Sequence, residues 1–223
     1  MFLVTKPKKT KYKIEVYNDQ EVHELFKYAD KSQIKLPIYL GVYYGLRRSE
    51  IIELKWSAVN FDNNTITVSH IVVKGIRNGE KIFIAHDETK TNSSYRTFPL
   101  MGNIKELLLE VRDEQRNNNL LMQSEYNYEF SEYINVYANG NLTKPDYLTR
   151  NFAKVLKDNN LKKIRFHDLR HICASKLLDL GITLKEIQEW LGHSDTSTTA
   201  NIYTHLTYKS KVNATSKMED AFQ

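Results

Sequence analysis

From residue 18 onward, apolar residues recur at helical spacing. Asn18 or Asp19 can cap a helix that runs to about residue 30, with Val22, Leu25 and Phe26 on one face. The stretch "IKLPIYLGVYYGL" (34–46) is apolar on nearly every side, which predicts a buried helix. Gly45 loosens its end just before Arg47. Ser49 can cap a short helix, "EIIEL", with Glu50 in its first turn, where the helix dipole favours a carboxylate. The period then changes. "TITVSHIVVK", "EKIFIA" and "YRTFPL" are β-rich runs separated by "GIRNG" and "HDETKTNSS", predicting a small antiparallel sheet of three strands over about 65–100. Helical spacing returns over about 102–118, 144–158, 167–179, 183–191 and 197–206. The Asn- and Tyr-rich stretch 119–143 shows no clear period. Residues 1–14 form a basic lead-in or linker and 207–223 a polar tail, and no strong linker splits the residues between. The expected class is α+β, mainly α-helical with a small three-stranded antiparallel sheet.

Composition narrows the partners. The 223 residues are 41% hydrophobic and 26% charged, as in a soluble globular protein, with a net charge of +5. The pI of about 9.0 tilts toward polyanions. Part of that charge is concentrated: 161–176 holds Lys162, Lys163, Arg165, Arg170 and Lys176 against Asp168 alone. Cys173 is the one cysteine, so no intramolecular disulfide can form, and its place beside Leu169, Leu177 and Leu180 marks it as a core thiol. No apolar run is long enough to span a membrane, and the N-terminus lacks a signal peptide's apolar stretch. A cytoplasmic protein is the default expectation.

Candidate chemistry begins at "HDLRHICASKLLDLG" (167–181). With Leu169 facing the core, Ile172, Cys173, Leu177 and Leu180 fall within about 80° of it at helical spacing. His167, Arg170 and His171 fall outside that stripe, gathered at the helix's first turn. Free N–H groups and the positive dipole end favour an anion there. "HDLRH" is also similar to the HExxH of zinc proteases, with Asp in place of Glu. Asp is a methylene shorter than the glutamate base of that motif, and Arg170 on the same side opposes a divalent cation. A solvated basic helix start with one core-satisfied histidine is the plain alternative, about even with an anion site on this stretch alone.

Other stretches break that tie. "YYGLRRSEIIELKW" (43–56) places Arg47 straight after a helix end, with Arg48 beside it and Glu50 close by. "ETKTNSSYRTFPL" (88–100) sets Lys90 on a β-hairpin. "EWLGHSDTSTTANIYTHL" (189–206) gives His193 after a Leu-Gly turn and Tyr203 ten residues later. Over about 35–206 the set resembles the catalytic domain of the tyrosine recombinases, the phage-integrase family. "TTANIYTHL" is similar to integrases of phages and conjugative transposons of Gram-positive bacteria.

The resemblance implies the tyrosine recombinase catalytic-domain fold over 15–206, acting on double-stranded DNA with no cofactor and no metal. It implies a catalytic set of Arg47, Lys90, His167, Arg170, His193 and Tyr203, the last as nucleophile, with Glu50 and His171 in support. Arg47 is the family's arginine, rather than Arg48, by its place after Gly-Leu. The implied reaction is cleavage and rejoining of DNA through a 3′-phosphotyrosine. The alternatives are a catalytically inactive DNA-binding protein of the same fold and a metallohydrolase. The family carries further DNA-binding domains ahead of this one and works as a homotetramer, with C-terminal segments docking on neighbours. About 33 residues precede the resemblance here. The expectation is therefore a piece of a longer recombinase, monomeric in isolation, binding DNA weakly and salt-sensitively, with 207–223 either a trans-docking segment or a frayed tail.

Overall fold

The computed structural model describes residues 16–69, 73–77, 80–84 and 95–192, with isolated positions after 214. Helix α1 (Asp19–Ala29) opens on a capping box: Asn18 Oδ1 accepts from the Glu21 amide at 2.9 Å, and Glu21 Oε2 accepts from the Asn18 amide at 2.8 Å. Helix α2 (Lys35–Tyr43) has no polar face to give to water and becomes the central helix, with Leu36, Ile38 and Leu40 buried. It packs against α6 (Asp168–Asp179), near whose start the second charged motif stands.

Between α2 and α6 lie the short α3 (Arg48–Ile52), the strands, the long α4 (Gly102–Met122) and α5 (Pro145–Asp158). Pro145 stands at the start of α5, where its missing N–H costs nothing. Helix α7 (Leu184–Leu191) has its own capping box through Thr183 and Glu186 and stops at Gly192, which is left-handed at φ +64°. One large core joins α1–α6 and the sheet, and a smaller cluster of Cys173, Ala174, Ile187 and Leu191 seats α7 on α6.

The sheet differs from the sequence expectation in its make-up. Its three strands are β1 (Val59–Asn60), β2 (Thr65–Ser69) and β5 (Tyr95–Pro99), in the order β1-β2-β5 and all antiparallel. Among the described residues, strands β3 (Val73–Arg77) and β4 (Glu80–Ile84) pair only with each other, as a separate two-stranded hairpin. On β5 the burial alternates, so Arg96 and Phe98 face inward while Tyr95 and Thr97 face out. Arg96 stands across from Val68 and Phe98 across from Ile66.

The stretch 119–143 holds two 3-10 turns (123–125 and 128–130) and two isolated bridges. Its order comes from backbone bonds, such as the Ile134 amide donating to the Leu54 carbonyl at 2.9 Å, and from side chain to backbone bonds, such as Asn135 Nδ2 donating to the Ile51 carbonyl at 2.6 Å. Among the described residues, no helix is long and apolar enough to cross a membrane.

Candidate active site

The turn after α2 places the first arginine. Gly45 is left-handed at φ +64°, and a Cβ there would overlap Leu191. Arg47 then caps α3 from its backbone, donating its amide to Glu50 Oε2 at 2.8 Å. Ser49, expected as the cap, lies inside α3, because the helix starts at Arg48, two residues earlier than expected. The Arg47 guanidinium meets Glu50 Oε1 at 2.7 Å and donates to the Gly192 carbonyl at 2.7 Å. Arg48 turns outward and donates to Thr149 Oγ1 at 2.6 Å, so Arg47 is the arginine that faces the site.

Helix α6 supplies the second arginine. The helical-wheel expectation of a core stripe opposite a polar group does not hold for its first turns. Asp168 through Ala174 are all buried, and Arg170 among them reaches inward to carbonyls of the turn after α2 and of α7. Leu180, expected in the core, is 68% exposed, since α6 ends at Asp179. Arg170 is only 2% exposed. It donates to the Gly45 carbonyl at 2.6 Å and to the Leu191 carbonyl at 2.5 Å. Burial, then the charge of Arg47, push it down to about 9, which still leaves it a cation at neutral pH.

The two histidines differ in environment. Their rings meet edge to face, 5.4 Å between centroids. His171 is buried, and its Nδ1 has no hydrogen-bond partner among the described residues. Burial, then the neighbouring His167, push its pKa down to about 4. His167 is exposed to solvent on one side. The protein against its other side, then the charge of Arg170, lower its pKa, and the access of water tempers that effect. Asp168 does not stand free as a metalloprotease base would. Its carboxylate accepts from the Arg165 amide and from the Arg165 guanidinium, each at 2.7 Å. No group of three His, Cys, Asp or Glu side chains among the described residues is arranged to hold a metal ion.

Arg96 is a basic residue that motif reasoning did not select. It is ion-paired to Glu50 Oε1 at 2.7 Å and donates to the carbonyls of Trp190, at 3.2 Å, and Leu191. Burial would raise the Glu50 carboxyl, but Arg96, then the Arg47 amide and charge, outweigh it and hold the group below its ordinary value. For Arg96, burial outweighs the help of Glu50 and lowers its value, yet the pair remains charged. Three arginines from three elements therefore converge on the last carbonyls of α7. The C-terminal end of a helix dipole is partially negative, so it suits them.

Arg47, Glu50, His167, Arg170 and His171 thus come together at one basin. Lys90, His193 and Tyr203, together with the helix expected over 197–206, lie outside the described residues. By sequence, His193 directly follows Gly192. Buried Cys173 is a core thiol, its pKa pushed up to about 12 by burial.

The family model described as the phage integrase family matches residues 15–210. A tyrosine recombinase XerC-like protein of Caldanaerobacter subterraneus subsp. tengcongensis is 30% identical over 98% of this chain and 57% of its own length. The integrase of Staphylococcus phage L54a is 29% identical over 78% of this chain and 48% of its own. The chain thus spans about half the length of the curated relatives it matches. Among solved structures, the Tn1549 transposon integrase in complex with transposon right end DNA superposes with a TM-score of 0.73 at 21% identity, covering 95% of this chain and 67% of that one. The XerA recombinase gives 0.67 at 21% identity over 94% and 66%. These likenesses establish the fold.

Proposed function

Because the chain belongs to the phage integrase family of tyrosine recombinases, we propose that it cuts and rejoins double-stranded DNA at specific sites through a covalent phosphotyrosine. One observation carries this reading: Arg47 and Arg170, far apart in sequence, donate to the nearby carbonyls of Gly192 and Leu191 and so share one basin. A scissile phosphate concentrates negative charge on its non-bridging oxygens as it is attacked. Two fixed guanidinium forks suit those oxygens and stay charged throughout.

In this mechanism the Tyr203 oxygen attacks phosphorus as its proton passes to His167, whose lowered pKa keeps it neutral and able to accept near pH 7. The bond to the deoxyribose 5′-oxygen breaks, and Lys90 protonates that leaving oxygen. His193 adds a hydrogen bond to the phosphate. The product is a 3′-phosphotyrosine and a free 5′-hydroxyl, and attack by another 5′-hydroxyl reverses the step and reseals a strand. The phosphodiester energy is kept in the covalent link, so the scheme uses neither ATP nor metal. Such a protein works on DNA in the cytoplasm.

The working assembly in this reading is a homotetramer on two DNA sites, with this chain alone a monomer. Residues 207–223 dock on a neighbouring copy in that assembly.

The test uses a pool of nicked duplexes of randomised sequence. Wild-type chain is expected to yield an adduct that survives denaturing detergent and forms in EDTA without ATP, and Tyr203→Phe is expected to abolish it. An undiminished adduct in Tyr203→Phe, or none from any member of the pool, overturns the reading. Binding without cleavage of any duplex favours an inactive DNA-binding protein of this fold.

A further inference from the structure

Arg96 has no part in the chemistry above, yet it is wired into the groups that perform it. It stands on the inward face of β5, across from Val68 and on the same face as Phe98. Only 8% of it is exposed. A charge in such a place is costly unless it is well paired. Its planar fork spans Glu50 on one side and the carbonyls of Trp190 and Leu191 on the other. Glu50 is the carboxylate that holds Arg47, and Leu191 carries the carbonyl that holds Arg170. One cation therefore joins the supports of both phosphate-binding arginines. Gly192 fits the same picture, since a Cβ there would lie 2.8 Å from Arg96 Nη1. The cap of α7 is shaped around this guanidinium. Neutralising Glu50 alone would not require reach to main-chain oxygens on a helix 95 residues away in sequence.

We propose that Arg96 is a positioning residue: it locks Glu50 and the C-terminal carbonyls of α7 into one frame, and so aims Arg47 and Arg170 at a single phosphate. This rests on the reading of the basin as a phosphoryl-transfer site.

The experiment follows single-turnover cleavage by the whole chain on the duplex that wild type selects from the randomised pool. It is run with the native scissile phosphate and with an uncharged methylphosphonate at the same position. Arg96→Lys keeps the buried charge opposite Glu50, but a single ammonium cannot span the carboxylate and both carbonyls. On the native phosphate its rate is expected to fall about tenfold to a hundredfold, the scale of a misplaced donor. Its affinity for a non-specific duplex and its unfolding midpoint should stay near wild type. On the methylphosphonate, with no oxyanion left to clamp, the two proteins should converge, which a general loss of structure would not produce. Arg96→Gln, measured the same way, should lose more and converge likewise. A wild-type rate for both variants on the native phosphate, or a loss that persists undiminished on the methylphosphonate, overturns the proposal alone. Failure of the wild-type chain to form any adduct overturns the underlying reading and this proposal with it.

Discussion

Glu50 takes two guanidiniums on one carboxylate oxygen, Arg47 and Arg96 each at 2.7 Å, with its side chain fully shielded from water. Removing it leaves two cations facing each other without a counter-charge. Glu50→Ala is therefore expected to lower stability by about 3–5 kcal/mol, the range for breaking a buried pair, read from the urea midpoint. His171 sets a different dependence. Its folded pKa of about 4 lies below the ordinary 6.5, so folding favours the neutral ring. That contribution is complete above the unfolded value and is lost as pH falls from about 6.5 toward 4. The urea midpoint should drop across that window, and His171→Gln should flatten the drop. His167, also lowered from 6.5, predicts that single-turnover cleavage declines on acidification only below the ordinary imidazole range. Arg47, Glu50, His167, Arg170 and His171 were legible only through the family resemblance of motifs at helix starts, and the wheel put Arg170 and His171 on a solvated side where the structure buries both. Arg96 was not, since one arginine in "YRTFPL" reveals its face only once strand register sets it across from Val68. The hint was present: Arg96, Phe98 and Leu100 alternate along one face, and two of the three are apolar.

Helices α1, α2, α5 and α7 were legible because each advertises its start or its face. A side-chain cap, a Pro at the first turn or an unbroken apolar run is a local signal. The sheet was only half legible. Composition showed strand character, but pairing is a long-range choice, and β2 pairs with β5 across the intervening hairpin. Strand β1 is two residues long and leaves no alternating pattern to detect. At this scale the junction of α2 with α7 makes a prediction. Gly45→Ala adds a Cβ at a left-handed φ of +64° and drives it into Leu191. A loss of about 1–3 kcal/mol in thermal or urea unfolding is expected, the range for forced backbone strain.

The described residues form a mainly helical molecule with a small three-stranded sheet and a separate hairpin, and the helical class and strand character followed from the change of period along the chain. The convergence of the three arginines did not. It arises where α2, α3, α6, α7 and β5 meet, and no local pattern encodes such a meeting. On the proposed function, cations that neutralise phosphates set the salt response, so duplex affinity is expected to fall steeply as salt is raised, measurable as a linear slope of log affinity against log salt. A shallow slope would mean that phosphate contacts carry little of the binding. The left-handed stop at Gly192 has a last consequence, for length rather than identity. Adding or deleting one residue within α7 would swing its terminal oxygens by about 100° around the axis. The three cations would then lose their shared anchorage together, even if every side chain named above were untouched. Outward-facing replacements along the same helix would pass almost unnoticed.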